Sequence, residues 1–358
     1  MIARLKQFTL AAYAITLFFL IATGPLLLAG ESALKKPALQ SGESIFDLIY
    51  KQEVTEISII LELDSLIQNR KTADYRPASF SYRDENGKQH TYDIKVKPRG
   101  KFRRRTCDFP PLKLKFPKNQ LETAGLSDLN ELKLVTHCLE NSDRSDDLVL
   151  REYLVYKMYN ELTPNSFRVQ LVKVTYQDSN DRKNKITRWG ILLEDEEEFI
   201  ARRGGVLCDT MGQQTSEFNT AQERINSLFQ YMIGNTDWNY DMLRNVELLR
   251  AGNGKLIPVP FDFDFSTFVS APYARPNLDV GQKSMKDRIF MGHSSSVSDL
   301  YSTFSYFRSK KEVLLKVVAQ FKYLDSGTRQ AMLEYLESFF KIIEKGEAAQ
   351  EVMFAKTF

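Results

Sequence analysis

Histidine and cysteine are scarce in this chain. Among 358 residues there are three of each: His90, His137 and His293, and Cys107, Cys138 and Cys208. No two cysteines form a C-x-x-C pair, and the histidines are scattered. A structural zinc site takes four Cys or His ligands at short spacing, so this composition argues against one. Charge of one sign is lacking as well. The net charge is +3, and it falls to about +1 once Arg4 and Lys6 of the N-terminal segment are set aside. A near-neutral body argues against bulk electrostatic binding to nucleic acid. There is no Gly-rich phosphate loop of the P-loop or Rossmann type, no G-x-S-x-G elbow, no internal repeat and no low-complexity tract.

What is present begins with apolar material. Hydrophobic residues make up 43% of the chain, enough for one large domain or two packed lobes. Arg4 and Lys6 are followed by an uncharged stretch from Gln7 to Gly30. A basic start, an apolar run and small residues at Ala29-Gly30 describe a secretory signal. The run is also long enough to span a bilayer. Both readings place the body outside the cytoplasm, exported or anchored in the inner membrane. Residues 1–30 are therefore expected to be a signal peptide or membrane anchor, 31–44 a linker, and 45–350 the folded domain.

The texture of that domain changes along its length. TEISIILEL from Thr55 is β-rich. ASFSYRD and HTYDIKVK flank Asn86-Gly87, a hairpin turn signal. LKLKF alternates, with Leu112, Leu114 and Phe116 on one side and Lys113 and Lys115 on the other. Further strands are expected at ELKLVT, FRVQLVKVTY and GILLED. Helical patterns run from about Asp146 to Leu162, with Leu148, Tyr153, Leu154, Tyr156 and Tyr159 on one broad face, and from Thr220 to about Ile233. A hairpin is expected over Asn245–Leu249 and Leu256–Val259, and two amphipathic helices between about Lys310 and Lys345. Strands first and helices later predict an α+β architecture with two lobes. The three cysteines are either buried free thiols or, given export, include one disulfide. Cys107 and Cys138, at the edges of the first sheet, are the expected pair.

The chemistry concentrates in two segments. GNTDWNYDMLRN, residues 234–245, leaves a helix and enters a strand. PVPFDFDFS, residues 258–266, follows about a dozen residues later. Asp, Asn and Gly at such places also serve as turn formers and caps. Taken together, however, Asp262 and Asp264 interrupt a run of Phe and Pro, where an unpaired carboxylate is costly and a cation is a natural partner. An Asp and an Asn before a strand and an Asp after it is the arrangement that protein kinases use to position a hydroxyl and hold magnesium on phosphates.

At these residues the chain resembles the CotH-type spore-coat atypical kinase family. VKPRGKFRRR is similar to the family's strand ending in Arg-Gly. PPLKLKF is similar to the strand that follows it, and GILLED to its glycine-led strand ending in Glu. GNTDW…N…PFDFD carries the strongest likeness. The helix with Arg151-Glu152 stands where the family has a helix with a similar Arg. The likeness runs from about Asp93 to Ser266. It implies a two-lobed atypical protein-kinase-like fold, with an antiparallel-sheet N-lobe (about 45–195) and a mainly helical C-lobe (about 196–350). It implies Asp237 as the catalytic residue. It implies Asn245, Asp262 and its neighbour Asp264 as Mg²⁺ ligands, and Arg99, Gly100, Lys113, Lys115 and Glu194 as the lining of an ATP site. Two features depart from the pattern. Asp237 and Asn245 have seven residues between them, whereas Asp241 and Asn245 have three. Phe109-Pro110-Pro111 stands where the family has a lysine, so the phosphate-binding lysine is either supplied by Lys113 or Lys115 or missing.

The basic run Lys95, Lys97, Arg99, Lys101, Arg103, Arg104 and Arg105 admits three readings: a clamp on ATP phosphates, a binder of an anionic polymer or lipid surface, or a solvated hairpin face. Trp238 and Tyr240 are expected to pack rather than to stack on bases. The first functional expectation is a Mg-ATP-dependent phosphotransferase acting on a Ser or Thr hydroxyl of an envelope or secreted protein. The second is a non-catalytic envelope or coat assembly module, and a third is a metal-dependent phosphodiesterase. No specific nucleic-acid partner is expected. Membrane contact is expected through the N-terminal segment if it stays uncleaved. A reporter enzyme fused after Lys36 should be active only outside the cytoplasm; cytoplasmic activity would refute the assignment of residues 1–30.

Overall fold

The structure, a computed structural model of the chain, describes residues 42–140, 142–345 and residue 353. The expected signal or anchor lies outside the described residues. Among the described residues, no helix is long and apolar enough to cross a membrane. Leu39–Phe358 form one compact unit.

Seven strands form a closed barrel: β1 (Thr55–Leu61), β2 (Arg76–Arg83), β3 (Gln89–Pro98), β4 (Leu112–Lys115), β5 (Glu131–Val135), β6 (Val169–Asp178) and β7 (Ile186–Leu193). Their order around the barrel is β1-β2-β3-β4-β5-β7-β6. Three further strands, β8 (Val206–Leu207), β9 (Val246–Arg250) and β10 (Leu256–Pro260), make a small antiparallel sheet. The helices are α1 (Ile45–Ile49), α2 (Leu63–Gln68), α3 (Arg103–Thr106), α4 (Lys118–Thr123), α5 (Ser142–Leu162), α6 (Glu196–Arg203), α7 (Thr220–Ile233), α8 (Tyr301–Ala319) and α9 (Ser326–Glu344).

Local sequence accounts for much of the barrel. The Asn86-Gly87 turn joins β2 to β3 with Arg83 opposite Gln89, and Gly87 takes the left-handed conformation at φ 78°. β1 and β3 alternate buried and outward residues. In β4, Leu112 and Leu114 point inward while Lys113 and Lys115 face out. β6 and β7 differ because both of their faces are covered. Val172, Val174, Tyr176 and Leu192 fill the barrel. Val169, Leu171, Ile191 and Leu193 pack on the helical core built by α5, α7, α8 and α9. A sheet buried on both sides reads as a near-continuous apolar run, and FRVQLVKVTY and GILL do so. Gly190 lies where a Cβ would stand 3.0 Å from both Leu134 and Val174, so a side chain there would crowd the barrel.

The expected α+β, two-lobed kinase-like fold, with an antiparallel-sheet lobe and a mainly helical lobe, is corrected by this architecture. The sheet is a closed, mixed seven-stranded barrel. Its closure comes from the parallel pairing of β1 with β6, from Thr55 opposite Val172 to Leu61 opposite Asp178. Hairpin turns in the sequence signal antiparallel neighbours only. The β1–β6 pair joins segments more than a hundred residues apart, and nothing local marks it.

Cys107 and Cys138 form a disulfide with a Cα–Cα distance of 4.5 Å, and Cys208 is free. Phe109 N–H donates to the Cys138 carbonyl at 3.1 Å beside it. The bridge ties the segment after α3 to the segment after β5 and closes a loop of 31 residues. His137 is buried there against Phe109 and Tyr176, and burial pushes its imidazole down to about 4. Replacing both Cys107 and Cys138 by Ala should cost about 2–4 kcal/mol in urea unfolding, the range expected for a loop of this length. An unchanged unfolding midpoint would show the bridge to be dispensable.

Candidate functional site

The site is organised by an arginine that sequence reasoning left undistinguished within a basic run. β3 ends at Pro98. Gly100, at φ 74°, turns the chain into α3, where Arg104 N–H closes on the Gly100 carbonyl at 3.1 Å. This turn delivers Arg103 inward, while Arg104 stays half-buried, bonding the Lys71 carbonyl, and Arg105 remains exposed. The Arg103 guanidinium is 7% exposed and meets three carboxylates. Nε donates to Asp264 Oδ2 at 2.9 Å, and Nη2 donates to Asp262 Oδ1 at 2.5 Å and to Glu152 at 3.3 Å. The Tyr273 hydroxyl donates to the same Asp264 oxygen at 2.9 Å, and Asp262 N–H donates to the Tyr156 hydroxyl at 2.9 Å.

A buried guanidinium between carboxylates resists losing its proton, and Arg103 stands well above the ordinary arginine range. The carboxylates outnumber it. Burial raises Asp264, with Arg103 opposing and Asp262 reinforcing. Glu152 is likewise raised by burial, against the pull of Arg103 and with the push of Asp264, to about 8.

Asp237 and Asn245 enter from the other side. α7 ends on Gly234, left-handed at φ 66°, where an added Cβ would collide with the Tyr335 hydroxyl and with Thr267. The chain then runs through Asp237 to Asn245 and into β9. Asn245 Nδ2 donates to the Asp237 carbonyl at 2.7 Å and to Asp237 Oδ2 at 2.9 Å. Phe261 N–H donates to the Asn245 carbonyl at 3.1 Å, so Asp262 follows directly from the residue that abuts Asn245. Thr267 and Phe268 N–H donate to the Gly234 and Ile233 carbonyls at 3.1 Å, fastening the segment after Asp264 to the start of the Asp237 loop. Asp237 is raised by burial and then by the charge of Asp262, against Arg244 and Asn245, which places the two carboxylates within each other's field. Their side chains are 32% and 39% exposed, so both remain open to a ligand. Asn245 and Asp262 adopt positive φ, at 53° and 60°. Such backbone is strained for residues other than glycine and clusters at functional sites.

The remaining expected residues lie elsewhere or are engaged. Lys113 and Lys115 both pair with Glu131, and Lys113 also lies 3.5 Å from Asp195. Glu194 is fully buried and receives Arg168 from its N–H and Nε and Arg202 from its guanidinium. Arg99 N–H donates to the Pro111 carbonyl, and its charge acts on Lys133, a buried lysine that burial moves below the ordinary range. Lys133 pairs with Glu196 and lies near Asp195 and Glu247. Trp238 and Tyr240 are buried in packing.

Sequence reasoning named Arg103 only within the basic run and Glu152 only beside Arg151, and it passed over Tyr273. Glu152 carried a usable signal: it lies midway between Leu148 and Tyr156 on the buried stripe of α5, where a lone acid demands a partner. Arg103 had none, because it is one of several similar cations.

Among the described residues, no group of three His, Cys, Asp or Glu side chains is arranged to hold a metal ion by itself. The donors near Asp237 are two half-open carboxylates and one amide oxygen. That set suits Mg²⁺, which commonly takes one or two carboxylates and completes its shell with water and substrate phosphates; it does not suit a protein-only metal cage. Comparison of the chain with protein-family models and with curated proteins finds no match.

The raised Glu152 gives a pH signature. A carboxyl raised from its ordinary 4.5 to about 8 contributes stability that is full below 4.5 and is lost as pH climbs to about 8. The stability of the natural protein relative to Glu152→Gln should therefore fall by at least about 1.4 kcal/mol between pH 5 and pH 8, one pKa unit's worth. Urea unfolding at a series of pH values measures this, and parallel curves would refute it.

Proposed function

We propose that this chain is a phosphotransferase working at Asp237, Asn245 and Asp262, which moves the γ-phosphoryl group of ATP to a Ser or Thr hydroxyl of an exported protein. The observation that carries the reading is Asn245, whose side chain bonds Asp237 while its carbonyl accepts from Phe261 N–H, the residue before Asp262. Both carboxylates are partly exposed, Asn245 donates to Asp237, and Asn245 and Asp262 sit on backbone held at positive φ. Maintaining such an arrangement costs stability, and a ligand cation would relieve it.

Asp262 and the amide oxygen of Asn245 would hold Mg²⁺, which when bound supplies charge neutralisation to the phosphates. Asp237 accepts a hydrogen bond from the acceptor hydroxyl and takes its proton as the hydroxyl oxygen attacks the γ-phosphorus and the bond to the β–γ bridging oxygen breaks. Its raised pKa makes it a better proton acceptor than an ordinary aspartate. Asn245 fixes the Asp237 carboxylate by its bond to Oδ2, and Oδ1, 3.8 Å from Arg244 Nη1, is the oxygen that would meet the substrate. Arg103 fixes Asp262 through Oδ1. Arg103, Glu152, Asp264, Tyr156 and Tyr273 are thus positioning residues. The Cys107–Cys138 bridge supports an oxidising compartment, in keeping with an exported or anchored body.

One observation favours the non-catalytic assembly module instead: Arg103 already supplies the acidic cluster with a cation. Calorimetric titration with ATP, with and without Mg²⁺, separates the two readings. Asp262→Ala should abolish Mg-dependent ATP binding. Asp237→Ala should leave binding within a few-fold and lower turnover by about 10²–10⁴, the usual contribution of a positioned general base. Absence of Mg-ATP binding in the natural protein would refute the phosphotransferase reading and leave the assembly module.

A further inference from the structure

A second arginine, half-buried, stands under the opposite electrostatic condition. Arg288 donates from Nε to the Met232 carbonyl at 3.2 Å, from Nη1 to Ser338 Oγ at 2.9 Å and from Nη2 to the Tyr335 carbonyl at 2.7 Å. It also lies over the Tyr335 ring, 3.8 Å from the centroid. None of these partners is a carboxylate. Burial without a counter-charge holds Arg288 below the ordinary arginine range, the reverse of Arg103. A buried, unpaired cation is costly, and a bound anion offsets that cost.

Arg288 lines a cavity of about 630 Å³, within the usual size of small-molecule sites. Arg151 and Lys286 line it too, and no Asp or Glu does. Arg151 Nε is buried with no hydrogen-bond partner among the described residues, although its Nη2 lies 3.3 Å from Asp147. Asp325 also feels the charge of Arg151, but its Oδ1 accepts from Thr328 N–H as the cap of α9. Hydroxyls of Ser270 and Thr328 stand on the cavity wall, and Phe268, Ala331 and Met332 give it an apolar side. The cavity shares the Thr267–Ser270 segment with the acidic site, being built on its continuation after Asp264.

We propose that this cavity binds a phosphate ester. The doubly charged oxyanion would lie among Arg151, Lys286 and Arg288, and the ester's apolar body against Phe268 and Met332. Guanidinium forks and hydroxyl donors match several oxygens at once, which a tetrahedral phosphate offers and a halide or single carboxylate does not. The site is separate from Asp237 and Asp262 and needs no metal.

The test is calorimetry of the full chain with phenyl phosphate in EDTA, with inorganic phosphate as the comparison. Phenyl phosphate should bind more tightly than inorganic phosphate. Lys286→Glu, an exposed position with no packing role, should weaken it at least about tenfold, as should Arg288→Gln where that variant folds. Asp262→Asn should leave it unchanged. The source of the ester is read from vesicles. Extra retention on phosphatidic acid over phosphatidylcholine, lost in Lys286→Glu, identifies a lipid headgroup. Equal retention on both with phenyl phosphate binding intact identifies a free ester. No binding of phenyl phosphate at millimolar concentration overturns the proposal. So does binding that Lys286→Glu leaves intact, or that Asp262→Asn removes.

Discussion

The contact between Arg103 and its three carboxylates joins three distant parts of the chain, beside ring contacts such as Tyr156 with Phe263 and Phe102 with Phe265. Arg103 comes from the short helix beyond β3, Glu152 from the middle of α5, and Asp262 and Asp264 from the turn after β10. One guanidinium thus binds the end of the barrel, the long helix against it, and the exit of the small sheet. Burying Arg103 with Asp264 and Glu152 is expensive, and the excess of acid is not fully offset, as the upward displacement of Glu152 and Asp264 shows. An apolar cluster of similar volume would hold the same elements together at lower cost. What the ionic cluster adds is a fixed direction for Asp262, held through Oδ1.

The site is reached through backbone that few sequences would choose. Gly234 is forced by the approach of Tyr335 and Thr267, and Asn245 and Asp262 sit at positive φ. The β9–β10 hairpin places these two residues at adjacent ends of neighbouring strands, and the Phe261–Asn245 bond continues the ladder just far enough to do so. The strain is borne by the surrounding order: a barrel closed on itself, a helical core of α5, α7, α8 and α9, and a disulfide that pins the segment following Arg103. Arg103 and Arg288 mark the two ends of this region by contrast. One is buried with too many acids, and the other is half-buried with none among its bonding partners.

Local chemistry of the sequence determined a good deal. Asn86-Gly87 set the β2–β3 hairpin, the alternation of LKLKF set the faces of β4, and the apolar spacing of residues 220–233 set α7 between Asn219 as its cap and Gly234 as its end. The GNTD and PFDFD segments declared themselves because acids among Phe and Pro need a partner. Each of these signals acts between residues close in sequence, through turn geometry, side-chain period or desolvation. The tertiary structure alone decided the rest. Parallel closure of β1 on β6 depends on a pairing that no turn encodes, so an expected antiparallel sheet became a closed mixed barrel. The choice of Arg103 among its basic neighbours depended on which side chain the left-handed Gly100 turn aimed inward, and the three acids it met came from two distant segments. An ion cluster assembled from such separate pieces leaves no period and no spacing in the chain; it exists only once the barrel, α5 and the β9–β10 hairpin have packed.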